Sequence, residues 1–316
     1  MKNNSVEQNT YTEMCQALEK LAGEYKAIYQ SSEYQNGIRL KTYMDLLKQL
    51  KIIDIIKRLL NRNGKLDVIL NQKDNNVDWN NYFSDKKVAV YTAIFGHYDS
   101  LFEPLVAPNN IDYFAFTDFE IPTGSKWKRL DPLCFLPNKS LSCNEKNRFF
   151  KMLPHRFFDP YDYSVYVDGN VMIVSDVTAL TYALEQFPIA MFTHKNRTCV
   201  YKEAKACIRK HKEKKHNLER HINYLKSNGV PEDLGLLEAT VIIRNHHDQR
   251  CVDLMEMWWK EFMEFSKRDQ ISLIDCLWRS KIDISSVGIL GNNLFKCNLF
   301  IIVKHRSWGQ YEGHFI

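Results

Sequence analysis

An acid, a glycine and an amide interrupt an apolar run of the sequence at Asp168, Gly169 and Asn170. The run covers residues 163–174 and otherwise has the pattern of a buried β-strand. A buried strand rarely carries a carboxylate or a central glycine without a specific reason. Side chains two residues apart lie on one side of an extended chain, so Asp168 and Asn170 offer two oxygen ligands to a hard divalent cation, and the glycine lets a substrate approach the backbone. The alternative is a tight turn in which Asp and Asn are only turn formers.

Strands that alternate with helical stretches must position this tripeptide. Five apolar runs read as strands, at residues 88–95, 112–118, 164–174, 189–194 and 237–244. This alternation predicts an α/β fold with a mostly parallel central sheet covered on both faces. Ligands bind beyond the C-terminal ends of such strands. We therefore expect the polar residues that end the runs to gather at one edge of the sheet: Asp99, Asp118, Asp168, Asn170 and His194.

The region before the strands has a different character. Residues 1–83 read as a helical region, and residues 84–316 as the α/β domain, with a polar, turn-rich boundary at residues 71–87. Between residues 39 and 65 there are eight basic and two acidic residues. Residues 38–65 are therefore either a helix on an anionic membrane surface or a solvated basic face of a packed helix.

The length, composition, net charge and cysteine count restrict the class of protein to which the chain can belong. The chain has 316 residues, 45% of them hydrophobic, and a formal net charge of +5, which is too mild to indicate nucleic acid by itself. Eight cysteines form no C-x-x-C pair and no zinc-type spacing, which indicates reduced thiols. No apolar run is long enough to span a membrane. We expect a cytoplasmic protein, peripheral to the inner face of the membrane if residues 38–65 bind lipid.

Four blocks of sequence occur in an order that resembles a known family: VAVYTAIFGHYDSLFEP, RFFKMLPHRFFDPYDYSVYVDGNV, LLEATVIIRNH and SKRDQIS. They resemble a glycosyltransferase-like family of plant Golgi proteins linked to cell-wall and mucilage polysaccharides and of bacterial proteins of surface-polysaccharide synthesis. The resemblance covers residues 87–310. It implies a GT-A-type nucleotide-binding domain that transfers a sugar from a nucleotide-sugar donor, a UDP-sugar, to a glycan or lipid-linked glycan acceptor.

The resemblance also assigns the donor site. The implied nucleotide-sugar ligands are Tyr91, Thr92, Asp99, Asp118, Arg148, Lys151, Asp168, Gly169 and His194. Arg148 and Lys151 are three apart on an expected helix, share a face, and would meet the diphosphate. Simpler alternatives remain: Asp118 as a helix or turn cap, Arg148 and Lys151 as a solvated face, and His194 as a satisfied histidine at a strand end.

By the same resemblance, Asp168, Asn170 and His305 would bind a divalent metal, Mn or Mg, in a variant of the D-x-D motif. Asn170 stands where the usual motif has a second acid, and a neutral amide binds metal more weakly than a carboxylate. His305 also reads as part of a C-terminal tail.

Three residues are the catalytic candidates: Glu238, Asp269 and Gln270. The Asp-Gln pair resembles that of glycogenin-like transferases, where it contacts the sugar near its reacting carbon. A carboxylate there acts as a base in an inverting mechanism, or stabilises an oxocarbenium-like centre in a retaining one, which the pair favours. The alternative for Asp269 is a first-turn helix acid that pairs with Arg268 or Lys267.

Two other classes of function remain open. A chain with this fold can be a non-catalytic nucleotide- or glycan-binding scaffold, which the Asn170 replacement favours. It can also be a membrane- or nucleic-acid-binding protein that uses the basic stretches 38–65 and 207–229, although these lack the interleaved aromatics of nucleic-acid binders. Residues 207–229 read as one basic helical stretch, either facing an anionic acceptor or solvated. The oligomeric state is open.

Overall fold

A six-stranded sheet lies at the centre of the structure, a computed structural model that describes residues 86–138, 140–185, 187–297 and 299–303. The predicted helical region 1–83, the basic stretch 38–65 and His305 lie outside these residues, and what the sequence predicts for them stays a prediction. Within the described residues, the predicted α/β fold class is confirmed. No helix there is long and apolar enough to cross a bilayer.

The strands follow in chain order as β1 (Val88–Ile94), β2 (Ile111–Thr117), β3 (Trp127–Leu130), β4 (Tyr163–Val167), β5 (Val171–Ile173), β6 (Ile189–Thr193), β7 (Leu237–Arg244) and β8 (Phe300–Ile302). The helices are α1 (Cys143–Met152), α2 (Val200–Arg209), α3 (Lys215–Ser227), α4 (Gln249–Glu264), α5 (Asp269–Arg279) and α6 (Ile284–Val287). Short 3-10 helices lie at Pro132–Cys134, Pro154–Arg156, Thr178–Glu185 and Leu294–Lys296.

The large sheet has the order β3-β2-β1-β4-β7-β6. Its centre is buried on both faces, as the apolar runs predicted: all seven residues of β1 are buried. Alternate residues of β1 pack into different hydrophobic cores, with Tyr91 on one face of the sheet and Val90 on the other.

Strand β7 is the exception to the parallel arrangement, because it pairs antiparallel with both β4 and β6. Its reversed direction brings its first residues to the edge where the parallel strands end. The register between β6 and β7 is irregular at this edge: Met191 pairs with Ile242, whereas Phe192 pairs with Glu238. Such bulges commonly re-aim side chains beside functional sites.

The predicted strand over residues 164–174 is wrong as a single strand. A turn divides it, closed by the Val171 N–H, which donates to the Asp168 carbonyl at 2.9 Å. Strand β4 stays in the large sheet, and β5 leaves it to pair with β8 in a two-stranded sheet. The tight-turn alternative therefore describes the backbone at the tripeptide.

The predicted helical stretch 207–229 is also divided. Helix α2 ends at Arg209 and α3 begins at Lys215. His211 between them has a φ of 51°, in the left-handed region, so the backbone turns there instead of continuing the helix.

Helix α1 is fixed at both ends. Ser142 and Glu145 form a capping box at its start. At its last turn the Lys151 carbonyl accepts hydrogen bonds from the fully buried Arg244 guanidinium (2.7 Å) and the Tyr91 hydroxyl (3.2 Å). A cation at a helix C-terminus is favourable because the last carbonyls carry partial negative charge. These bonds set the position from which the Lys151 side chain reaches the sheet edge.

Candidate functional site

A cavity of about 560 Å³ opens at the edge where the parallel strands end. Its walls come from the ends of β1, β4 and β6, the start of β7, helix α1 and the start of α5. The structure brings most of the sequence-predicted residues to this cavity: Asp99, Arg148, Lys151, Asp168, Gly169, His194, Glu238, Asp269 and Gln270. Their chemical roles stay predictions.

Lys151 connects two carboxylates that are far apart in the sequence. Its Nζ lies 3.3 Å from Asp168 Oδ1 and 2.8 Å from Asp269 Oδ2, and only 1% of its side chain is exposed. Arg148 Nε lies 3.0 Å from the same Asp269 oxygen. The prediction that Arg148 and Lys151 share a helix face is confirmed, and the solvated-face alternative is wrong because both side chains meet a buried acid.

Asp269 is held in its ionised form. Burial alone would raise its pKa, but Arg148, Lys151 and Arg268 together hold the pKa well below its usual range. It is also the first residue of α5, where the helix dipole favours negative charge. The predicted alternative of a first-turn helix acid is therefore confirmed, with Arg268 among the charges that act on Asp269, but its pairing with Lys267 is wrong because Lys267 pairs with Glu145 at 3.3 Å.

Glu238 lies beside the second member of the Asp-Gln pair. Its Oε1 accepts hydrogen bonds from Thr240 Oγ1 (2.8 Å) and Gln270 Nε2 (3.2 Å). Burial raises the pKa of Glu238 above its usual value, and the negative charges of Asp168 and Asp269 add to the effect. The cavity therefore contains carboxyl groups whose pKa values are shifted in opposite directions, a frequent feature of acid–base sites.

Asp168 uses one carboxylate oxygen for its contacts with the protein. Oδ1 accepts a hydrogen bond from the Tyr166 hydroxyl at 2.9 Å and pairs with Lys151. The neighbouring Gly169 is required by packing: a Cβ there would lie 2.8 Å from Ile94 Cγ1 and 3.0 Å from Asp99 Cβ. The missing side chain lets the β1 loop and the β4 turn come together, which places Asp99 beside Gly169.

Asn170 faces away from this arrangement. Its Nδ2 donates to the Val303 carbonyl at 2.9 Å, and it does not line the cavity. The prediction assumed an extended chain, in which Asp168 and Asn170 share a side, but the turn closed by Val171 separates them.

The residues that the sequence assigned to a metal have oxygen donors suited to a hard cation, but the structure does not bring Asp168 and Asn170 to one site. Asn170 Oδ1 is buried and has no hydrogen-bond partner within the described part of the chain, and the Asp168 carboxylate is in the cavity. No group of three or more His, Cys, Asp or Glu side chains suited to a metal occurs among the described residues.

Three predicted donor ligands lie elsewhere. Tyr91 is fully buried in β1, where its hydroxyl contacts Arg244 and the Lys151 carbonyl, and Thr92 is 1% exposed. Neither side chain reaches the cavity, because both face into the sheet's packed layers. Asp118 accepts the Gly96 N–H at 2.9 Å, so it stabilises the loop after β1, as the capping alternative proposed.

His194 has its ring nitrogens in defined environments. Nδ1 lies 3.2 Å from the Asn196 N and 3.0 Å from the Arg197 N, which are both donors. Nδ1 is therefore the acceptor nitrogen, and the neutral ring carries its proton on Nε2. Burial lowers the pKa of His194, and the Arg197 charge lowers it further.

The structure adds residues that the motif comparison missed. Tyr166 lies on β4, two residues before Asp168, which follows the end of that strand, and its hydroxyl contacts Asp168, so the period of a strand was a usable signal for it. Arg197, Lys212 and Arg268 line the cavity itself. Arg197 and Lys212 come from the loops on either side of α2, and no local pattern distinguishes them from solvated cations.

Comparison with known proteins gives a family match. The TOD1/MUCI70 glycosyltransferase-like domain matches residues 140–308, which include the Asp168, Glu238 and Asp269 segments. No curated protein matches the chain.

Three solved structures show low similarity. The bifunctional glycosyltransferase WbbM, in its apo form, has a TM-score of 0.38 and 11% identity over 60% of this chain, which spans only 37% of that structure's length. The galactosyltransferase LgtC, in complex with donor and acceptor sugar analogues, has a TM-score of 0.33 and 14% identity, and the match covers 60% of this chain and 70% of LgtC. Mouse xyloside xylosyltransferase 1, in its apo form, has a TM-score of 0.37 and 11% identity, and the match covers 64% of this chain and 83% of that protein.

Proposed function

The chain belongs to the TOD1/MUCI70 glycosyltransferase-like domain family, and on this basis we propose that it transfers a sugar from a nucleotide-sugar donor to a glycan acceptor. The observation that carries the proposal is the bridge at the cavity wall, where Lys151 joins Asp168 to Asp269 and Arg148 pairs with the same Asp269. We propose a UDP-sugar as the donor and surface-polysaccharide synthesis as the context.

The bridge has a chemical rationale. A nucleotide sugar carries two phosphates next to the bond that breaks, and the leaving diphosphate gains negative charge in the transition state. Fixed cations stabilise that charge without reorganisation, so Arg148 and Lys151 would lower the barrier more than they tighten ground-state binding. Asp269 keeps both cations in place because it stays ionised while buried.

A second group of polar side chains beside the bridge would face the sugar. Glu238 and Gln270 are joined by a hydrogen bond, and both line the cavity with Asp269. Their polar groups suit contacts with sugar hydroxyls and with a carbon that becomes positively charged. We propose a retaining mechanism, in which these groups stabilise an oxocarbenium-like centre.

A divalent ion, Mn or Mg, would supply further stabilisation of the diphosphate charge when bound. Asp168 would hold it from the cavity wall, while Asn170 and His305 are ligands that only the sequence implies, since the turn separates Asn170 from Asp168 and His305 lies outside the described residues. The Asp168 carboxylate also orients the Lys151 ammonium, so it has a role that does not depend on the ion.

A donor screen tests the proposal. The full chain is incubated with a panel of nucleotide sugars and Mn or Mg, and release of the nucleotide is measured. We expect release from at least one UDP-sugar and its loss in the Asp168→Ala variant, with unchanged circular dichroism. Full activity of that variant would remove Asp168 from the site.

One observation favours a second candidate, a non-catalytic nucleotide- or glycan-binding protein. The Asn170 amide donates to Val303, so half of the metal pair is engaged in joining β5 to β8. Calorimetry with UDP and Mn, followed by the release assay, separates the two. Binding without turnover of any donor would favour the second candidate, and turnover would exclude it.

We also propose that residues 38–65 hold the chain against an anionic membrane in the cytoplasm. Sedimentation of the full chain with phosphatidylserine vesicles tests this. A variant with Lys48, Lys51, Lys57 and Arg58 changed to Gln should bind the vesicles at least tenfold more weakly, and unchanged binding would contradict the proposal.

A further inference from the structure

A second cavity of about 470 Å³ adjoins the first. The two cavities share His194 and Arg197, which therefore form the wall between them. Lys195 and Asn292 line only the second cavity, and no Asp or Glu belongs to its lining. Its lining is rich in hydrogen-bond donors, whereas the first cavity contains the carboxylates.

The shared wall presents two donors to the same space. His194 carries its proton on Nε2, because Nδ1 accepts from the Asn196 and Arg197 amides. Arg197 Nη2 lies 3.4 Å from that Nε2, so a donor faces a donor. Arg197 is oriented by its Nε, which pairs with the buried Glu203. A ligand oxygen to one side of the pair, about 2.9 Å from both Nε2 and Nη2, would accept a hydrogen bond from each.

We propose that the second cavity is the acceptor subsite, in which the terminal sugar of a glycan binds with one hydroxyl oxygen accepting from His194 Nε2–H and Arg197 Nη2–H. This proposal rests on the proposed transfer reaction, since a transferase needs an acceptor site that opens onto the donor site. Sugar hydroxyls and ring oxygens are matched by the remaining donors, the Lys195 ammonium and the Asn292 amide. Lys195 Nζ lies 3.6 Å from the centre of the Phe295 ring, which fixes the cation at the rim.

The assignment moves His194 from the predicted donor set to the boundary between the two substrates. A neutral imidazole with Nε2–H is a hydrogen-bond donor and cannot take the acceptor's proton. His194 is thus expected to orient the acceptor, while a carboxylate in the first cavity remains the group available for the chemistry.

The test compares glycan binding with nucleotide binding in the full chain. A labelled sample is applied to an array of immobilised plant and bacterial oligosaccharides, and UDP affinity with Mn is measured by calorimetry. We expect the wild type to bind at least one glycan, and Asn292→Trp and Lys195→Ala to weaken that binding at least tenfold with UDP affinity within twofold. Lys260→Ala changes an exposed lysine outside both cavities and should bind like the wild type.

The outcomes separate this proposal from the proposed function. Undiminished glycan binding by Asn292→Trp and Lys195→Ala, or no glycan bound by the wild type, overturns the subsite. Loss of glycan binding in both variants supports it. If the wild type releases no nucleotide from any donor while the variants still lose glycan binding, the transfer reaction fails and the glycan site stands.

Discussion

At the residue scale, the charge of Asp168 is the feature with the clearest functional consequence. The Asp168→Asn variant keeps the volume and an oxygen that can accept from Tyr166, but it loses the charge that orients Lys151 and would hold a metal. We expect nucleotide release to fall at least about a hundredfold, the usual effect of removing one electrostatic contact from a reacting centre. Steady-state kinetics with the donor found in the screen measure this.

The matched control for Asp168 is Asp253→Asn, an exposed position outside both cavities. It should keep wild-type activity. If Asp168→Asn also keeps it, the Lys151 bridge has no catalytic role.

Glu238 gives a prediction for pH dependence. Burial raises its pKa, so the ionised form is lost as pH falls through a value above the usual carboxyl range. A reaction that needs ionised Glu238 therefore loses rate on the acid side, and Glu238→Gln should lower kcat and remove that limb. A pH–rate profile of kcat for both proteins checks this, and an unchanged acid limb in the variant would contradict it.

The raised pKa of Glu238 also predicts how the stability of the fold changes with pH. Ionised Glu238 favours activity in the prediction above, but it lowers the free energy of unfolding. A folded-state pKa above the unfolded value means that ionisation of Glu238 destabilises the fold as pH rises through the folded pKa. Glu238→Gln should therefore have a higher free energy of unfolding than the wild type at pH 7. Urea denaturation measures it, and the difference should shrink below pH 4.

At this scale the sequence located cavity residues where they belong to a recognisable block, while their chemical roles stay predictions. Asp168, Glu238 and Asp269 belong to recognisable blocks, and the structure brings all three to one cavity. The assignment of Tyr91 as a donor ligand is wrong. Its sequence block identifies strand β1, but only the packed structure shows that the Tyr91 hydroxyl is already hydrogen-bonded to Arg244 and the Lys151 carbonyl.

At the scale of elements, the contact between α1 and α5 depends on Asp269. Asp269→Asn would leave the buried Lys151 ammonium without its strongest partner and weaken the hold on Arg148. Breaking a buried pair from one side costs about 3–5 kcal/mol in the free energy of unfolding. Urea denaturation of the single variant should show a loss of this size at pH 7.

The double variant tests whether the loss comes from the uncompensated charge. Lys151→Met in the Asp269→Asn background removes the unpaired ammonium and should recover part of the stability, with a coupling of about 0.5–3 kcal/mol between the two sites. If the changes in the free energy of unfolding caused by the two substitutions simply add, the ion pair between Lys151 and Asp269 contributes nothing to stability.

Gly169 controls the junction between β1 and the β4–β5 turn. In Gly169→Ala the new Cβ would press on Ile94 and Asp99, which have to move by several tenths of an ångström. We expect a loss of about 1–3 kcal/mol in the free energy of unfolding, typical of overpacking, and reduced nucleotide release because Asp168 shifts. Ile94→Ala in the same chain should restore part of the release activity; no restoration would locate the defect elsewhere.

The elements themselves show what a sequence pattern can and cannot predict. The apolar runs located β1, β2, β6 and β7 to within a residue, because burial on both faces leaves a continuous signature. The antiparallel direction of β7 and its bulge against β6 were not predicted, since pairing between strands depends on residues distant in the sequence. The same limit explains why the apolar pattern of residues 164–174 predicts one strand where the structure has two.

At the scale of the whole molecule, the site is a product of topology. Lys151 and Asp269 are separated by 118 positions, and they meet because the last turn of α1 and the first turn of α5 lie at the same sheet edge. The reversed β7 adds Glu238 to that edge from its N-terminal end. The edge itself was predictable from the α/β pattern, but the cavity wall formed by the loops beside α2 was not.

Acid sensitivity is a property of the whole fold that the buried histidines predict. His246 is 2% exposed, with Nε2 2.8 Å from the Phe158 carbonyl, and its ring centre is 4.5 Å from that of His247. Burial, together with the charges of His247, Arg244 and His155, lowers its pKa from 6.5 to about 4. The unfolded chain therefore binds a proton at a higher pH than the folded chain, so the stability is present above pH 6.5 and is lost as pH falls towards 4.

His246 should contribute up to about 3 kcal/mol to this loss, because each unit of pKa shift corresponds to about 1.4 kcal/mol. His246→Gln retains a side-chain donor for the Phe158 carbonyl but does not titrate, so its free energy of unfolding should fall less steeply between pH 7 and pH 5. His216→Gln, an exposed histidine on α3, should keep the wild-type slope. Urea denaturation at half-unit pH steps compares the three proteins, and equal slopes for the wild type and His246→Gln would show that the buried imidazole does not govern acid unfolding.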